Sequence, residues 1–396
     1  MKDILRDSIL NAIKKYKDET IQNRRHLHMN PEIGFDTKET EKFIINKLTE
    51  YGIEILPSKI GVIAKISGKT DEYIALRSDI DALPLHEEND VPYASKKENM
   101  MHACGHDAHT AILLTTARII KENQDSLNES ILLVFQPAEE GPNLGGARLI
   151  VKELQENGMI NKIKCMYGLH VFNNYPLGSI EIRYGGMMAS TDEFDIEIIG
   201  SAGHAGEPQN TVDAVSIIAK VIGGIETWMS RRMNPLDQGI CSIGMVRGGT
   251  AKNIVAETAS ISGTIRCLKN ETRDKIIDAI TSISENFAKA YGATARINIL
   301  RGLPPLTNDD EVTRNAEEVL RKNLKDCKID RMEEPVMGAE DFAFYAQEIP
   351  STFIHIGSKN EEKGLYHLAH TPKFDIDEDA MDIGIKVFCN LIFQDK

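Results

Sequence analysis

Along the first part of the chain, segments with helical spacing of hydrophobic residues alternate with short apolar runs typical of strands. Residues 38–51 place Ile44 and Leu48 at helical spacing, and Gly52 follows where a helix commonly ends. Short apolar runs such as GVIAKI, YIAL, ILLVF and MYGLHV are separated by helical stretches such as AILLTTARIIKEN. Strands that alternate with helices favour a mostly parallel sheet covered on both faces, so this part predicts an α/β domain.

The rhythm changes at about residue 188. The segments EFDIEIIG, GICSIGMVRGG, TASISGTIRCL and ATARINILRG have strand patterns, while TVDAVSIIAKVIGGIETWMSRR and ETRDKIIDAITSISENFAKAYG have helical ones. Their order is β-α-β-β-α-β, the ferredoxin-like arrangement, and about 110 residues suffice for a separate core. After LPPLTNDD the helix–strand alternation resumes. We therefore predict one α/β domain, residues 1–187 and 302–396, interrupted by an inserted α+β domain, residues 188–301.

Charge and composition narrow the class of protein. The 396 residues carry 46 Lys and Arg against 60 Asp and Glu, a formal charge of −14, which disfavours nucleic acid and anionic membranes as partners. The opening MKDILRDSILNAIKKYKDET lacks an apolar signal core, and no run approaches the ~18 apolar residues of a membrane span. Six cysteines without short-range pairing are typical of a reduced protein. We expect a cytoplasmic protein.

The segment HACGHDAHT concentrates metal-binding side chains. If it is extended, residues two apart point the same way, so Cys104 and His106 converge on one ion. Thiolate and imidazole suit zinc, cobalt, nickel or manganese, with softness favouring zinc. The alternative is a helix N-terminus at which His102, His106 and His109 only cap the helix or face solvent.

Three other motifs add ligands. In FQPAEEG, Glu139 and Glu140 follow an apolar run, at the carboxyl end of a predicted strand, where open α/β sheets place their sites. Adjacent residues project to different sides, so one carboxylate can bind metal while the other faces a substrate. His170 in GLHV and His370 in LAHTPKFDIDED are each weak signals alone. Together the motifs supply the five ligands of a two-metal hydrolytic centre with a bridging hydroxide: Cys104, His106, Glu140, His170 and His370.

These motifs, in this order and with RRHLHMNPEIGF, LRSDIDALPL and MGAEDFAFY, resemble the N-acyl-amino-acid amidohydrolases of bacteria and plants. That family includes hippurate hydrolases, N-acetyldiaminopimelate deacetylases and auxin-conjugate hydrolases, within the dinuclear aminoacylase and carboxypeptidase superfamily. The resemblance spans essentially the whole chain. It implies that the α/β domain is catalytic and that the inserted domain serves as a lid and a dimerisation domain.

The resemblance also implies a reaction. The five ligands would bind two divalent ions (Mn, Zn, Co or Ni), and Glu139 would be the general base that activates a metal-bridged hydroxide. The substrate would be an N-acyl-L-amino acid with an N-acetyl or aromatic acyl group, cleaved at its amide bond to a carboxylic acid and an amino acid. Asp79 occupies a place where the superfamily tends to have a metal-binding histidine, and Cys104 supplies the missing ligand. Asp81 would support the ligands without binding metal; the alternative for both aspartates is that they only cap a turn before Pro84.

In the inserted domain, GSAGHAGEPQNTVDA is similar to the family's lid motif. The resemblance implies dimerisation through this domain. Because His204 follows a strand in a glycine-containing loop, we predict that it completes the partner subunit's site by binding the developing oxyanion; the alternative is a loop histidine that contacts solvent. Gln209 stands where family members often carry histidine. Asn253, at a glycine-rich turn, would contact substrate, and Arg266 would either hold a substrate carboxylate bidentately or be an exposed sheet arginine. Glu340 would have a structural role.

Three alternatives stay open. A dipeptidase of the same superfamily would cleave unblocked dipeptides instead of acylated amino acids. A non-catalytic metal-binding scaffold or sensor is disfavoured because the sequence contains the candidate general base, Glu139, as well as all five proposed ligands. A thiol enzyme with Cys104 as nucleophile would keep its activity in the presence of a chelator.

Overall fold

A computed structural model describes residues 3–141 and 145–394 of the chain. The helices are α1 (Asp3–Met29), α2 (Lys38–Glu50), α3 (His106–Glu122), α4 (Ala147–Glu156), α5 (Ala214–Arg231), α6 (Asn270–Ala290), α7 (Asp310–Asn323), α8 (Ala343–Glu348) and α9 (Asp379–Ile392). The strands are β1 (Glu54–Leu56), β2 (Val62–Ile66), β3 (Tyr73–Asp79), β4 (Ser130–Gln136), β5 (Ile163–Pro176), β6 (Ser179–Ile182), β7 (Gly185–Met188), β8 (Asp192–Ile199), β9 (Gly203–His204), β10 (Gly239–Gly248), β11 (Ile254–Val255), β12 (Thr258–Cys267), β13 (Thr294–Arg301), β14 (Leu306–Asn308), β15 (Lys328–Arg331) and β16 (Ser351–Lys359).

The chain forms two compact units. The larger comprises residues 1–185, 308–334 and 341–396, and the smaller comprises residues 186–307 and 335–340. The smaller unit therefore includes a short segment, residues 335–340, that the sequence patterns assign to the larger one. A chain segment can cross back into another unit without any change in its local pattern, so periodicity does not reveal it.

The larger unit is built on an eight-stranded sheet with the order β1-β2-β4-β3-β5-β16-β6-β15. The pairs β3–β4, β3–β5, β5–β16 and β6–β15 are parallel, and the other three are antiparallel. Every residue of β3 and β4 is buried, which requires cover on both faces of the sheet. The predicted mostly parallel α/β class is confirmed.

The centre of this sheet positions the chemistry-bearing segments. Parallel strands β3, β4 and β5 end at the same edge, and the segments that follow or contain their carboxyl ends carry Asp81, Glu139 and His170. Helix α3 packs against α1 and α9 and has buried residues through almost its whole length, which anchors its first residue, His106. Polar side chains from distant segments thus share one end of a rigid core.

The smaller unit has the element order β8-α5-β10-β12-α6-β13 and a four-stranded antiparallel sheet of order β10-β12-β8-β13. This is the predicted ferredoxin-like arrangement. Burial alternates residue by residue along β8, because α5 and α6 pack their apolar faces on one side of the sheet only. In the described part of the chain, no helix has the length and apolarity that crossing a bilayer requires.

Candidate metal centre

Cys104 and His106 meet through a turn, not through an extended segment. Gly105 between them has a φ of +87°, and His106 is the first residue of α3. The expectation that strand alternation aligns the two side chains is therefore wrong. The segment is the helix N-terminus of the alternative prediction, but its histidines do not face solvent, because His102, His106 and His109 are each 1% exposed.

Two histidines present the same nitrogen to this cluster. The Nδ1–H of His106 donates to the carbonyl of Asp81 at 2.9 Å, and the Nδ1–H of His170 donates to the carbonyl of Val171 at 2.8 Å. A carbonyl only accepts, so whenever either ring is neutral its lone pair is on Nε2. Nε2 of His106 is buried without a hydrogen-bond partner in the described residues, and Nε2 of His170 lies 3.3 Å from Cys104 Sγ. Metal-binding histidines are oriented in this way.

Glu139 and Glu140 lie on a strained loop after β4. Ala138 has a φ of +59°, a left-handed conformation that costs energy for any residue with a Cβ. The carboxylate of Asp81 holds the next two residues, because its oxygens accept the backbone N–H groups of Glu139 at 3.0 Å and Glu140 at 3.1 Å. Asp81 thus supports His106 through its carbonyl and both glutamates through its carboxylate.

His370 joins the cluster from the C-terminal part of the chain. It is another non-glycine residue with positive φ, +65°, and its backbone N–H donates to the carbonyl of Ala103 at 2.8 Å. That bond ties the His370 loop directly to the Cys104 turn. Its Nε2 lies 2.8 Å from Oε1 of Glu140. Local strain at both Ala138 and His370 is typical of a functional site.

The possible ligand atoms form two groups that share a residue. Cys104, His106 and His170 have ligand atoms within 4.8 Å of one another, and so do Cys104, Glu140 and His370. A third such group contains His106, Glu139 and Glu140. One sulfur, three nitrogens and a carboxylate match the donors that zinc and related divalent ions take in proteins. The orphan nitrogen of His106 and this donor set fit a metal centre.

The electrostatics of the cluster also suit a cation. Burial, together with the neighbouring carboxylates of Glu140 and Glu139, holds the pKa of Cys104 well above its usual value. Burial lowers the pKa of His106, but Asp79 and Asp81 outweigh it and raise that pKa to about 10. An excess of negative groups in a buried site is stabilised by a bound divalent ion.

Sequence reasoning missed part of the polar network under the centre. Asp79 Oδ1 accepts a hydrogen bond from Nδ1 of His109 at 2.6 Å, and Nε2 of His109 accepts the backbone N–H of Val171 at 2.9 Å. Both ring nitrogens of His109 are therefore used within the protein. Arg77 donates to Asp79 at 2.7 Å and also to Asp341 at 2.7 Å. One sequence feature could have indicated this network: the charged residues Arg77 and Asp79 directly continue an apolar strand whose pattern predicts complete burial.

The smaller unit brings together two of its three predicted site residues. His204 on β9 pairs with Ile254 on β11, and the N–H of Ala205 donates to the carbonyl of Asn253 at 3.2 Å. His204 is exposed, and its Nδ1 accepts the N–H of Gly206 at 3.0 Å.

Arg266 lies elsewhere in the smaller unit. It is eight residues beyond Thr258, the start of β12, a separation on the order of 25 Å along an extended strand. Its guanidinium donates to the carbonyl of Met337 at 3.1 Å, and the residue is half-buried. Arg266 is therefore not the exposed arginine of the alternative prediction, and it lies at the opposite end of β12 from Thr258, which closely follows β11.

Comparison with known proteins decides the family. The profile of Peptidase family M20/M25/M40 matches residues 75–394, which include all five possible metal ligands and Glu139. The chain belongs to this family. Its members are hydrolases, so the predicted enzyme class and family are confirmed, and the possible ligands stand within the matched region.

Three curated relatives cover nearly the whole chain. It is 36% identical over 385 residues to Thermostable carboxypeptidase 2 of Saccharolobus solfataricus, covering 96% of this chain and 95% of the relative. It is 36% identical over 384 residues to N-acetylcysteine deacetylase of Bacillus subtilis, covering 96% and 97%. It is 32% identical over 384 residues to IAA-amino acid hydrolase ILR1-like 2 of Arabidopsis thaliana, covering 95% and 85%.

A solved structure shares the fold. The Bacillus subtilis YXEP protein, described as a dinuclear metal binding peptidase from the M20 family, matches with a TM-score of 0.81 at 33% identity. The match covers 96% of this chain and 98% of that chain. The chain is thus an M20-family hydrolase with the fold of a dinuclear metal-binding peptidase.

Proposed function

We propose that this protein is a metal-dependent amidohydrolase that cleaves the amide bond of N-acyl-L-amino acids to a carboxylic acid and a free amino acid. The observation that carries the proposal is the pair of ligand groups that share Cys104, with Glu139 directly beside them. Relatives named for N-acetylcysteine deacetylation and for hydrolysis of an amino acid conjugate support this substrate class.

The five residues Cys104, His106, Glu140, His170 and His370 would hold two divalent ions. The two groups share Cys104, so its thiolate could serve either ion. When bound, such ions supply Lewis acidity that activates water and polarises the acyl carbonyl. The donors are compatible with Mn, Zn, Co or Ni, and softness at Cys104 favours the zinc end of that series.

Glu139 carries the proton in this mechanism. Its Oε2 lies 4.0 Å from Nε2 of His106, so its carboxylate borders the ligand cluster. It would accept a proton from the attacking water and donate it to the nitrogen of the leaving amine, so that the amide is cleaved with no net proton change on the enzyme. Asp81 would support this step only by holding the Glu139–Glu140 loop.

The proposal includes a homodimer formed through the smaller unit. Strand β10 lies at an edge of its sheet and carries the exposed apolar side chains Ile240, Met245 and Val246. An unpaired, apolar edge favours pairing with a second copy, and a two-fold axis would use the same patch twice.

The positions of the substrate residues agree with such a dimer. Arg266 lies about 25 Å along β12 from Thr258, whereas β11 ends at Val255, three residues before Thr258. We infer that groups at opposite ends of β12 contact one substrate only when they come from different subunits. His204 would then donate to the oxyanion in the partner subunit's site, while Asn253 and Arg266 bind substrate.

The first experiment uses metal-stripped protein supplied with Mn, Co, Ni or Zn and a panel of N-acetyl, N-benzoyl and indole-acyl amino acids. We expect no hydrolysis by the stripped protein and restored hydrolysis with at least one metal. Full activity in the presence of a strong chelator would contradict the proposal and favour Cys104 as a nucleophile.

The second experiment tests the shared site. His204→Ala should lower kcat by ~10²–10³, since that is the typical effect of one oxyanion donor, without loss of metal or dimer. Mixed under subunit exchange with Glu139→Gln protein, it should regain part of the wild-type activity, because one site of the heterodimer has both residues. No recovery after verified exchange would show that His204 does not act across subunits.

A peptide substrate is the second candidate. The relative named Thermostable carboxypeptidase 2 is 36% identical to this chain, as is the relative named N-acetylcysteine deacetylase. Unblocked dipeptides and N-blocked peptides belong in the same panel. A kcat/KM for peptides above that for every N-acyl amino acid would favour a peptidase.

A further inference from the structure

A buried arginine lies at the base of the candidate site. Arg77 is 1% exposed, on the fully buried strand β3. Its Nε donates to Gln136 at 3.0 Å, Nη1 donates to Asp79 at 2.7 Å and Nη2 donates to Asp341 at 2.7 Å. One rigid, planar group thereby links three segments that are distant in sequence.

Asp341 is the most constrained of these partners. Oδ1 accepts from Arg77 and from Gln136, while Oδ2 accepts from Gln136 at 2.7 Å and from the backbone N–H of Ala147 at 3.0 Å. Gly145 completes the enclosure, because a Cβ at that position would strike Oδ2 of Asp341. Asp341 is fully buried, so its side chain has one available position.

The backbone of Asp341 faces Glu139. Its N–H points at Oε1 of Glu139 with an N···O distance of 3.4 Å. Hydrogen bonds to catalytic groups are often long before substrate binds and shorten in the reacting complex. A donor on this oxygen fixes the direction of the carboxylate and leaves Oε2 on the side of His106.

We propose that Asp341 is a positioning residue: held by Arg77 and Gln136, it places its backbone N–H so that Glu139 is aimed at the reacting water. The proposal rests on the proposed role of Glu139 as general base. It predicts a kinetic role for a residue that touches neither metal nor substrate. A carboxylate free to rotate would spend less time in the productive direction, and a misplacement of about 1 Å can cost ~10²-fold in rate.

The test is Asp341→Asn, measured alone and together with Glu139→Gln. An amide offers an N–H where the carboxylate accepted hydrogen bonds, so one of the donors from Arg77, Gln136 and Ala147 loses its acceptor. We expect kcat to fall ~10–100-fold with KM changed less than about threefold and the metal content unchanged. In the Glu139→Gln background the same substitution should have no further effect, since no general base is left to aim.

Other outcomes overturn the proposal. An unchanged kcat, an equal loss in both backgrounds or a loss of metal would each show that Asp341 does not act through Glu139. If Asp341→Asn does not fold, Arg77→Lys provides the same comparison, because it keeps the charge but has one nitrogen in place of the three, Nε, Nη1 and Nη2, that donate to the partners of Arg77.

Glu317→Gln is the matched control. Glu317 is a buried carboxylate of the same unit that pairs with Arg331 and Arg321, and it lies on α7, outside the site. We expect it to lower the melting temperature without lowering kcat. A fall in kcat equal to that of Asp341→Asn would show that losing any buried ion pair suffices.

A structural readout separates this proposal from the proposed function. If the wild-type protein hydrolyses no N-acyl amino acid, the proposed function fails, but crystal structures of the wild type and of Asp341→Asn still compare the position of Glu139. A displaced Glu139 carboxylate in the variant supports the positioning role. An unmoved carboxylate overturns it, whatever the substrate.

Discussion

The adjacent glutamates offer the sharpest test of the candidate centre. Oε1 of Glu140 lies 2.8 Å from His370 and within one ligand group, whereas Glu139 borders the cluster with Oε2 4.0 Å from His106. The same substitution, Glu to Gln, one residue apart, should therefore have different consequences. Glu139→Gln should keep two ions per chain and lose kcat, while Glu140→Gln should lose metal and activity together.

The expected magnitude for Glu139→Gln follows from the role of a general base. Glutamine keeps the shape of the side chain and an oxygen for the N–H of Asp341, so binding should not change. It cannot accept a proton, and general acid–base groups contribute ~10²–10⁴-fold. At ~1.4 kcal/mol per factor of ten, this corresponds to ~2.8–5.6 kcal/mol of transition-state stabilisation.

The assay pairs steady-state kinetics with the metal-to-protein ratio measured by plasma mass spectrometry. The reasoning is refuted if Glu139→Gln loses metal while Glu140→Gln keeps it, because the two roles would then be reversed. A Glu139→Gln protein with wild-type kcat and full metal content would refute the general base itself.

Three other substitutions probe the centre and the stability of the larger unit. Cys104→Ala should lose metal, and bound metal should slow alkylation of the wild-type thiol, because a coordinated thiolate is masked; equal alkylation rates with and without chelator would contradict this. Gly145→Ala should lower stability by ~1–3 kcal/mol in a denaturant titration, since its φ is +71° and the new methyl group strikes Asp341; an unchanged midpoint would contradict the enclosure. Burial raises the pKa of Glu317. Hydrogen bonds from Arg331, Tyr184 and Arg321 outweigh burial and lower this pKa to about 2, below the usual 4.5. The full shift would correspond to ~3 kcal/mol, but Arg321 and Arg331 are 48% and 65% exposed, so screening by solvent leaves ~1–2 kcal/mol. This stabilisation is present above pH 4.5 and lost as the pH falls towards 2, and Glu317→Gln should remove this part of the pH dependence of unfolding.

Secondary structure was largely predictable from the sequence. Period-3.6 patterns identified α2, α3, α5, α6 and α9, and continuous or alternating apolar runs identified the central strands. These patterns are local, because the spacing of apolar residues along a helix or strand shows whether one face of it or both faces are buried. Short elements such as β9 and β11 were missed, because two residues are too few to show a period.

The possible ligands were also named from sequence, by residue type and by resemblance to a family. Cysteine, histidine and glutamate in short clusters already indicate metal chemistry. The predicted extended geometry at Cys104 and His106 is wrong, because the pattern of HACGHDAHT does not reveal that Gly105 makes a left-handed turn into α3.

Sequence by itself determined the elements, their order, the fold class and the residue types able to bind metal, since each of these depends on neighbours within a few positions. Only the tertiary structure decided which polar groups support the site. Arg77 and Asp341 are 264 positions apart, and Glu139 and Asp341 are 202 positions apart. Such contacts depend on how strands and loops pack in three dimensions, so no local pattern of the chain records them.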